Sequence, residues 1–239
     1  MKIKSINKLD VLANFVIIFI VVSLVLVSCV SLYGSMQVFA ASDSVYFNGD
    51  INSNYVSLMF NVYWGDEYLD GILDTLSKHN VKTTFFVGGS WADDNMDYLR
   101  KFVSLGHEIG NHGYFHKNQS RLSFDDNVSE IKSNNVVVKN LCGVEMNLFA
   151  PPSGDYSETT LKAAKSLDMK VIMWSIDTID WRDHDDNLIY QRASKAKGGD
   201  LVLMHPTKNT LNVLDKLLSF YEKNNLRVVT VSTNINILV

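Results

Sequence analysis

The feature that most constrains this chain is a rhythm. From Ser42 onward, short apolar runs of strand length alternate with stretches of helical period. "YVSLMF" (Tyr55 to Phe60) reads as a buried strand, and "DEYLDGILDTLSKHN" (Asp66 to Asn80) carries Leu69, Ile72, Leu73 and Leu76 at helical spacing. "KTTFFVG" is a second strand ended by Gly88 and Gly89, and "NMDYLRKFVSLG" is a helix stopped at Gly106. "HEIGN" is a short strand, and Ser123 with Asp126 has the spacing of a helix N-terminal capping box. Further strands are expected in "NLFAPP", "KVIMWSID", "DLVLMH" and "LRVVTV". Helices are expected in "SETTLKAAKSLD", around Leu188 to Lys195, and in "LNVLDKLLSFYEKNN". "VVVK" reads as core. Such alternation predicts a parallel sheet, open or closed as a barrel, in one α/β domain spanning 42–239. The chain has 239 residues, enough for one domain with an ample core.

The first 41 residues follow different rules. Lys2, Lys4 and Lys8 precede an apolar run from Phe15 to Leu32, and "QVFAAS" follows with small residues at Ala40 and Ala41. Residues 1–41 are expected to be a signal peptide cleaved after Ala40 or an uncleaved membrane anchor. "LVSC", ending at Cys29, also resembles a lipoprotein cleavage box. Each alternative places the rest of the chain outside the membrane, secreted or in the cell envelope, with the lysines on the cytoplasmic side. Cys142 is then left with no disulfide partner in the exported domain and is expected to serve as a small buried hydrophobe. A net charge of −4 without a basic run excludes an electrostatic footprint for nucleic acid.

Polar residues sit where the expected strands end: Asn61, His112, Asp177, Asp180 and His205. In barrels the C-terminal strand ends carry the chemistry. "GNHGYFH" sets His112 and His116 four apart, a spacing that lets both imidazoles reach one ion and equally suits two polar loop residues. In "SIDTIDW", Asp180 is either a loop aspartate or a carboxylate that orients a histidine. His205 closes a strand, as a satisfied core residue or as a general acid within reach of Asp180. Asp66 and Glu67 follow Gly65, where acidic residues suit a helix N-terminus.

Taken together, "VKTTFFVGG" through "LGHEIGNHGYFH", "DTIDW" and "LVLMH" resemble the polysaccharide deacetylases, the NodB-homology family or carbohydrate esterase family 4. The resemblance covers about Val56 to Val231. It implies a distorted (β/α)7 barrel that removes acetyl groups from N-acetylated sugars of peptidoglycan or a related polysaccharide with a divalent metal, zinc or similar. His112 and His116 would be metal ligands, His205 the general acid, and Asp180 its tuning partner. Trp181 and Leu203 would line the acetyl-methyl pocket, while Tyr63, Trp64 and Pro152 would contact substrate. The family's T-F-D-D-G motif is altered: the base position is Asn61 and the ligand position is Val62. The family's R-x-P-Y stretch is Ala150 to Ser153, so the arginine that pairs with the base aspartate is absent along with it. Losing both together avoids an unpaired buried charge. "FNVYWG" looks closest to an F-D-x-x-W-G variant from spore-forming Gram-positive bacteria. These changes imply a metal that is weakly bound or absent, with Asp66, Glu67 or water as the substitute third ligand. They leave open a deacetylase with a degraded site, a non-catalytic glycan-binding protein, or a sporulation-related envelope scaffold. A monomer is expected.

Overall fold

The computed structural model describes residues 17–25 and 45–236. Residues 17–25 are helical and belong to one unit, Met1–Ser42, while the second unit is Asp43–Val239. The expected cleavage, anchor and lipoprotein residues lie mostly outside the described residues. No described helix is long and apolar enough to cross a membrane.

In the second unit, the central strand is β1 (Tyr55–Val62). It is followed by α1 (Asp66–Lys78), β2 (Thr84–Val87), α2 (Gly89–Asp94), α3 (Met96–Ser104), β3 (Glu108–Asn111) and α4 (Phe124–Cys142). Then come β4 (Leu148–Phe149), α5 (Glu158–Ser166), β5 (Lys170–Val171), β6 (Ile176–Asp177), α6 (Asp186–Ala193), β7 (Leu201–Met204), α7 (Lys208–Lys223), β8 (Arg227–Val228) and α8 (Val231–Asn234). All strand pairs are parallel, in the order β5-β4-β3-β2-β1-β7-β6, and β8 pairs with the start of β1. The two outermost strands, β5 and β6, are neighbours in the chain. A strap from residue 45 onward joins the end of β5 to the start of β7: Tyr46 pairs with Ile172 and Asn48 with Asp200. The curled sheet and its strap make the distorted (β/α)7 barrel that the motifs imply.

Strand alternation divides the core in two. Val56, Leu58, Phe60 and Val62 face the helices and join one apolar cluster with Leu69, Trp91 and Phe102. Met59 faces the barrel interior with Phe86, Leu148, Ala150, Ile172 and Leu203. Asn61 shares the interior parity of Met59.

Several elements differ from expectation, each for a local reason. β1 runs two residues further than read, so Asn61 and Val62 lie inside the strand, paired with Phe86 and Val87. "KVIMWSID" is two short strands, because Tyr46 of the strap takes the Val171 carbonyl and the Met173 amide. "LRVVTV" stops at Val228, where the Thr230 side chain caps α8 by accepting from the Thr233 amide. "GSWADD" forms α2, which Gly89 and the preceding Gly88 conceal from a propensity reading. In "VVVK" only Val138 is core, while Val136 is 48% exposed on the outer face of α4. Cys142 is half-buried and donates its thiol to the Val138 carbonyl.

Candidate active-site cleft

The C-terminal ends of β1, β3, β6 and β7 open onto a cleft of about 510 Å³. It is lined by Asn61, Tyr63, Trp64, His112, His116, Ser153, Trp174, Asp177, Trp181, Leu203 and His205. Parallel pairing brings these positions together, since β1 holds β2 on one edge and β7 on the other. β2 is followed by Gly88, whose missing side chain lets Tyr63 lie across it: a Cβ there would come 2.2 Å from the Tyr63 ring. Gly65 turns the chain from β1 into α1 at a φ of +87°, where a Cβ would also strike the Pro206 carbonyl.

One wall is a wired pair. His205 Nδ1 stands 2.8 Å from Asp180 Oδ1, and the His205 amide donates to Asp180 Oδ2 at 2.6 Å. The Thr210 hydroxyl donates to the same oxygen at 2.5 Å. Asp180 is fully buried, so three donors replace the water it lost. The ring is held with Nδ1–H toward the carboxylate, which leaves Nε2 to face a bound group. Trp64 stacks on it at 5.7 Å and 4°.

The opposite wall holds the two other imidazoles. His112 follows β3 and donates Nδ1–H to the Ala150 carbonyl at 2.7 Å, leaving Nε2 as an acceptor. Burial, with His116 beside it, pushes His112 down to about 3, and burial lowers His116 as well. Their rings meet edge to face at 5.0 Å. The loop that carries them is fixed from behind by polar residues of α4. Glu130 Oε2 accepts from the amides of Tyr114 and Phe115, and Oε1 pairs with Lys117 at 3.0 Å. Asn134 donates to the carbonyls of Val87 and Gly113.

Backbone strain collects at this mouth. Among the described non-glycine residues with positive φ, Asn80, Asp168, Asn225 and Asn236 follow helix ends, where Asn and Asp are at ease. The other three are His116, Ser153 and Ile179, all in cleft loops, and a β-branched residue such as Ile179 resists this conformation most.

The sequence-derived site is largely assembled, with corrections. Asp66 does not reach the histidines; its carboxylate accepts from the Trp91 indole at 2.6 Å, at the start of α1. Among the described residues no group of three or more His, Cys, Asp or Glu side chains could hold a metal. Val62, the expected ligand position, is fully buried in the helix-side core. Two imidazoles without a carboxylate do not make up the three or four donors that a resident divalent ion requires, so these residues do not fit one. Asn61 lines the floor at 5% exposure, and its Oδ1 has no hydrogen-bond partner. Pro152 does not line the cleft; its neighbour Ser153 does. Trp174 went unread because it lies in an expected strand interior, and the strand break at Ile172 to Ser175 is what turns it toward the cleft.

Comparison with known proteins agrees with this architecture. Residues 48–172 match the sequence profile described as polysaccharide deacetylase. The uncharacterised protein YlxY of Bacillus subtilis is 36% identical over 72% of this chain, which spans 54% of YlxY, about half its length. The peptidoglycan-N-acetylglucosamine deacetylase of Bacillus cereus is 30% identical over 77% of this chain and 69% of that one. In structure, BA3943 of Bacillus anthracis, a CE4 family pseudoenzyme, superposes with a TM-score of 0.80 at 34% identity, covering 82% of this chain and 70% of that one. A mutant of that pseudoenzyme has restored enzymatic activity. A shared profile over half the chain, a shared barrel and 30% identity to a curated deacetylase leave one assignment: this chain belongs to the polysaccharide deacetylase family.

Proposed function

We propose that this protein binds amino-sugar strands of the bacterial cell wall in its deacetylase cleft without hydrolysing them at an enzymatic rate. One observation carries the reading. The side of the cleft that would activate water offers a carboxamide at Asn61 and two imidazoles, and no carboxylate joins them. An amide has no basic lone pair at neutral pH, and losing a general base typically costs about 10²–10⁴-fold in rate. Support also comes from the 34% identity to a CE4 pseudoenzyme and from curated relatives that act on peptidoglycan. The aromatic rim, Tyr63, Trp64, Trp174 and Trp181, is suited to stacking on pyranose faces, and Trp181 stands 50% exposed.

A second reading, slow hydrolysis, draws on the Asp180–His205 pair, which has the arrangement of a general acid held by its partner. In that reading His205 Nε2 protonates the leaving amine, and Leu203 with Trp181 receives the acetyl methyl. The two readings part in one experiment. The full chain is mixed with insoluble peptidoglycan, and bound protein and released acetate are both measured. Retention on the pellet, lowered by Trp181→Ala and without acetate above a protein-free control, is the expected result. Acetate release abolished by His205→Ala would establish the second reading.

A further inference from the structure

We propose that the cleft reads de-N-acetylated glycan: it takes the ammonium of a glucosamine unit in preference to the N-acetylated unit. This deepens the glycan-binding reading and rests on it. The reason is an excess of hydrogen-bond acceptors. Among the described residues, Asp177 is the one carboxylate that lines the cleft, and no lysine or arginine lines it. Asp177 Oδ1 accepts from the Ile179 amide at 2.8 Å, so the carboxylate is oriented, with its second oxygen available. Asn61 Oδ1 is an acceptor without a partner, buried under the cleft floor, a condition that costs free energy. His112 has committed Nδ1–H to Ala150 and can offer the cleft only a lone pair.

Arg182 reaches the edge of the cleft, its guanidinium 5.8 Å from the Trp181 ring, but its hydrogen bonds go to Asp183. Arg182 and Arg192 both bind Asp183, at 2.8 and 2.6 Å, and Lys117 binds Glu130 at 3.0 Å. An acetamido group would bring a carbonyl oxygen toward these lone pairs, while the Arg182 guanidinium is already paired with Asp183. An ammonium brings positive charge and three N–H donors, and a charge-assisted bond to a carboxylate is the stronger kind. The Trp181 face already attracts the Arg182 guanidinium, at 5.8 Å, and favours a cation over a neutral amide as well. The ligand would then be the product of amide hydrolysis on an amino sugar, so the reaction class that supplies it is the one the family performs. On this account the protein follows an active deacetylase on the same strand.

The test uses the full chain and two probes, the β-1,4-linked hexamers of glucosamine and of N-acetylglucosamine, titrated by calorimetry at about pH 6 and about 0.15 M salt, where long-range charge is screened. The glucosamine hexamer is expected to bind at least about tenfold tighter. Asp177→Asn keeps an acceptor for the Ile179 amide and is expected to bring the ratio to about one. Trp181→Ala is expected to weaken both probes alike. Equal affinity, or preference for the N-acetylated hexamer, overturns this proposal and leaves the glycan-binding reading standing. Failure to bind either hexamer or peptidoglycan overturns both. A preference that persists undiminished in Asp177→Asn traces to the protein's net charge of −4 and overturns the proposal.

Discussion

The two walls of the cleft were built by the same barrel and have met different fates. On the β6–β7 side, Asp180 is fully buried and satisfied by three donors, His205 twice and Thr210 once. On the β1–β3 side, His112 is equally well positioned by Ala150 and by the α4 network, yet the carboxylates it would work with are absent. The lesson is that position and chemistry are separable. The scaffold that orients the histidines lies in α4 and β4, and it survives whatever residue stands at Asn61. On the Asp180 wall the functional group is itself the structural group.

That contrast predicts unequal responses to substitution. The largest effect should come from Asp180→Ala, which strands three buried donors; a loss of about 3–5 kcal/mol is expected from chemical denaturation. Val62→Asp belongs in the same class, for a different reason. It puts a carboxylate into the helix-side core, so the melting temperature should fall sharply and zinc affinity should not rise, which calorimetry on any surviving fold would show. If Val62→Asp instead folded normally and bound zinc tightly, the two walls would be less different than described here.

Next in size is a pH effect. His112 and His107 are held at about 3 and about 4 by burial, below the 6.5 of a free imidazole. Between roughly pH 6.5 and 4 the unfolded chain therefore binds more protons than the folded one, and stability falls as pH falls. Each buried imidazole should cost about 2 kcal/mol on going from neutrality to about pH 5. Denaturation midpoints across that range check it, and His112→Gln should flatten the slope by its share. The smallest effect belongs to the altered wall itself. Asn61→Leu removes a side chain whose acceptor has no partner, so it should change stability by less than about 1 kcal/mol in either direction. A large loss would reveal a partner for Asn61.

Much of this was legible in the sequence because parallel α/β proteins write their strands as apolar runs and their sites at the ends. Asn61, His112, Asp177, Asp180 and His205 all follow from that rule, and His116 from its spacing to His112. What was not legible depends on parity and on competition for hydrogen bonds. Whether Val62 faces the cleft or the helices turns on how far β1 extends, and pairing with Val87 decides that. Asp66 sits two residues after Trp64 in sequence, but the Trp91 indole, from a helix not foreseen, claims its carboxylate. Asn127 matches a glycosylation acceptor pattern, yet it is fully buried and binds the carbonyls of Gln119, Leu122 and Ser123.

The central claim is that one wall is intact and the other cannot activate water. It is tested most directly by acetate release from N-acetylated peptidoglycan with added Zn²⁺ or Co²⁺, the full wild-type chain beside the peptidoglycan-N-acetylglucosamine deacetylase of Bacillus cereus. The account predicts that this chain is slower by at least about 10²-fold, the low end of what a missing general base costs. Metal-dependent turnover within about tenfold of the Bacillus cereus enzyme would contradict it.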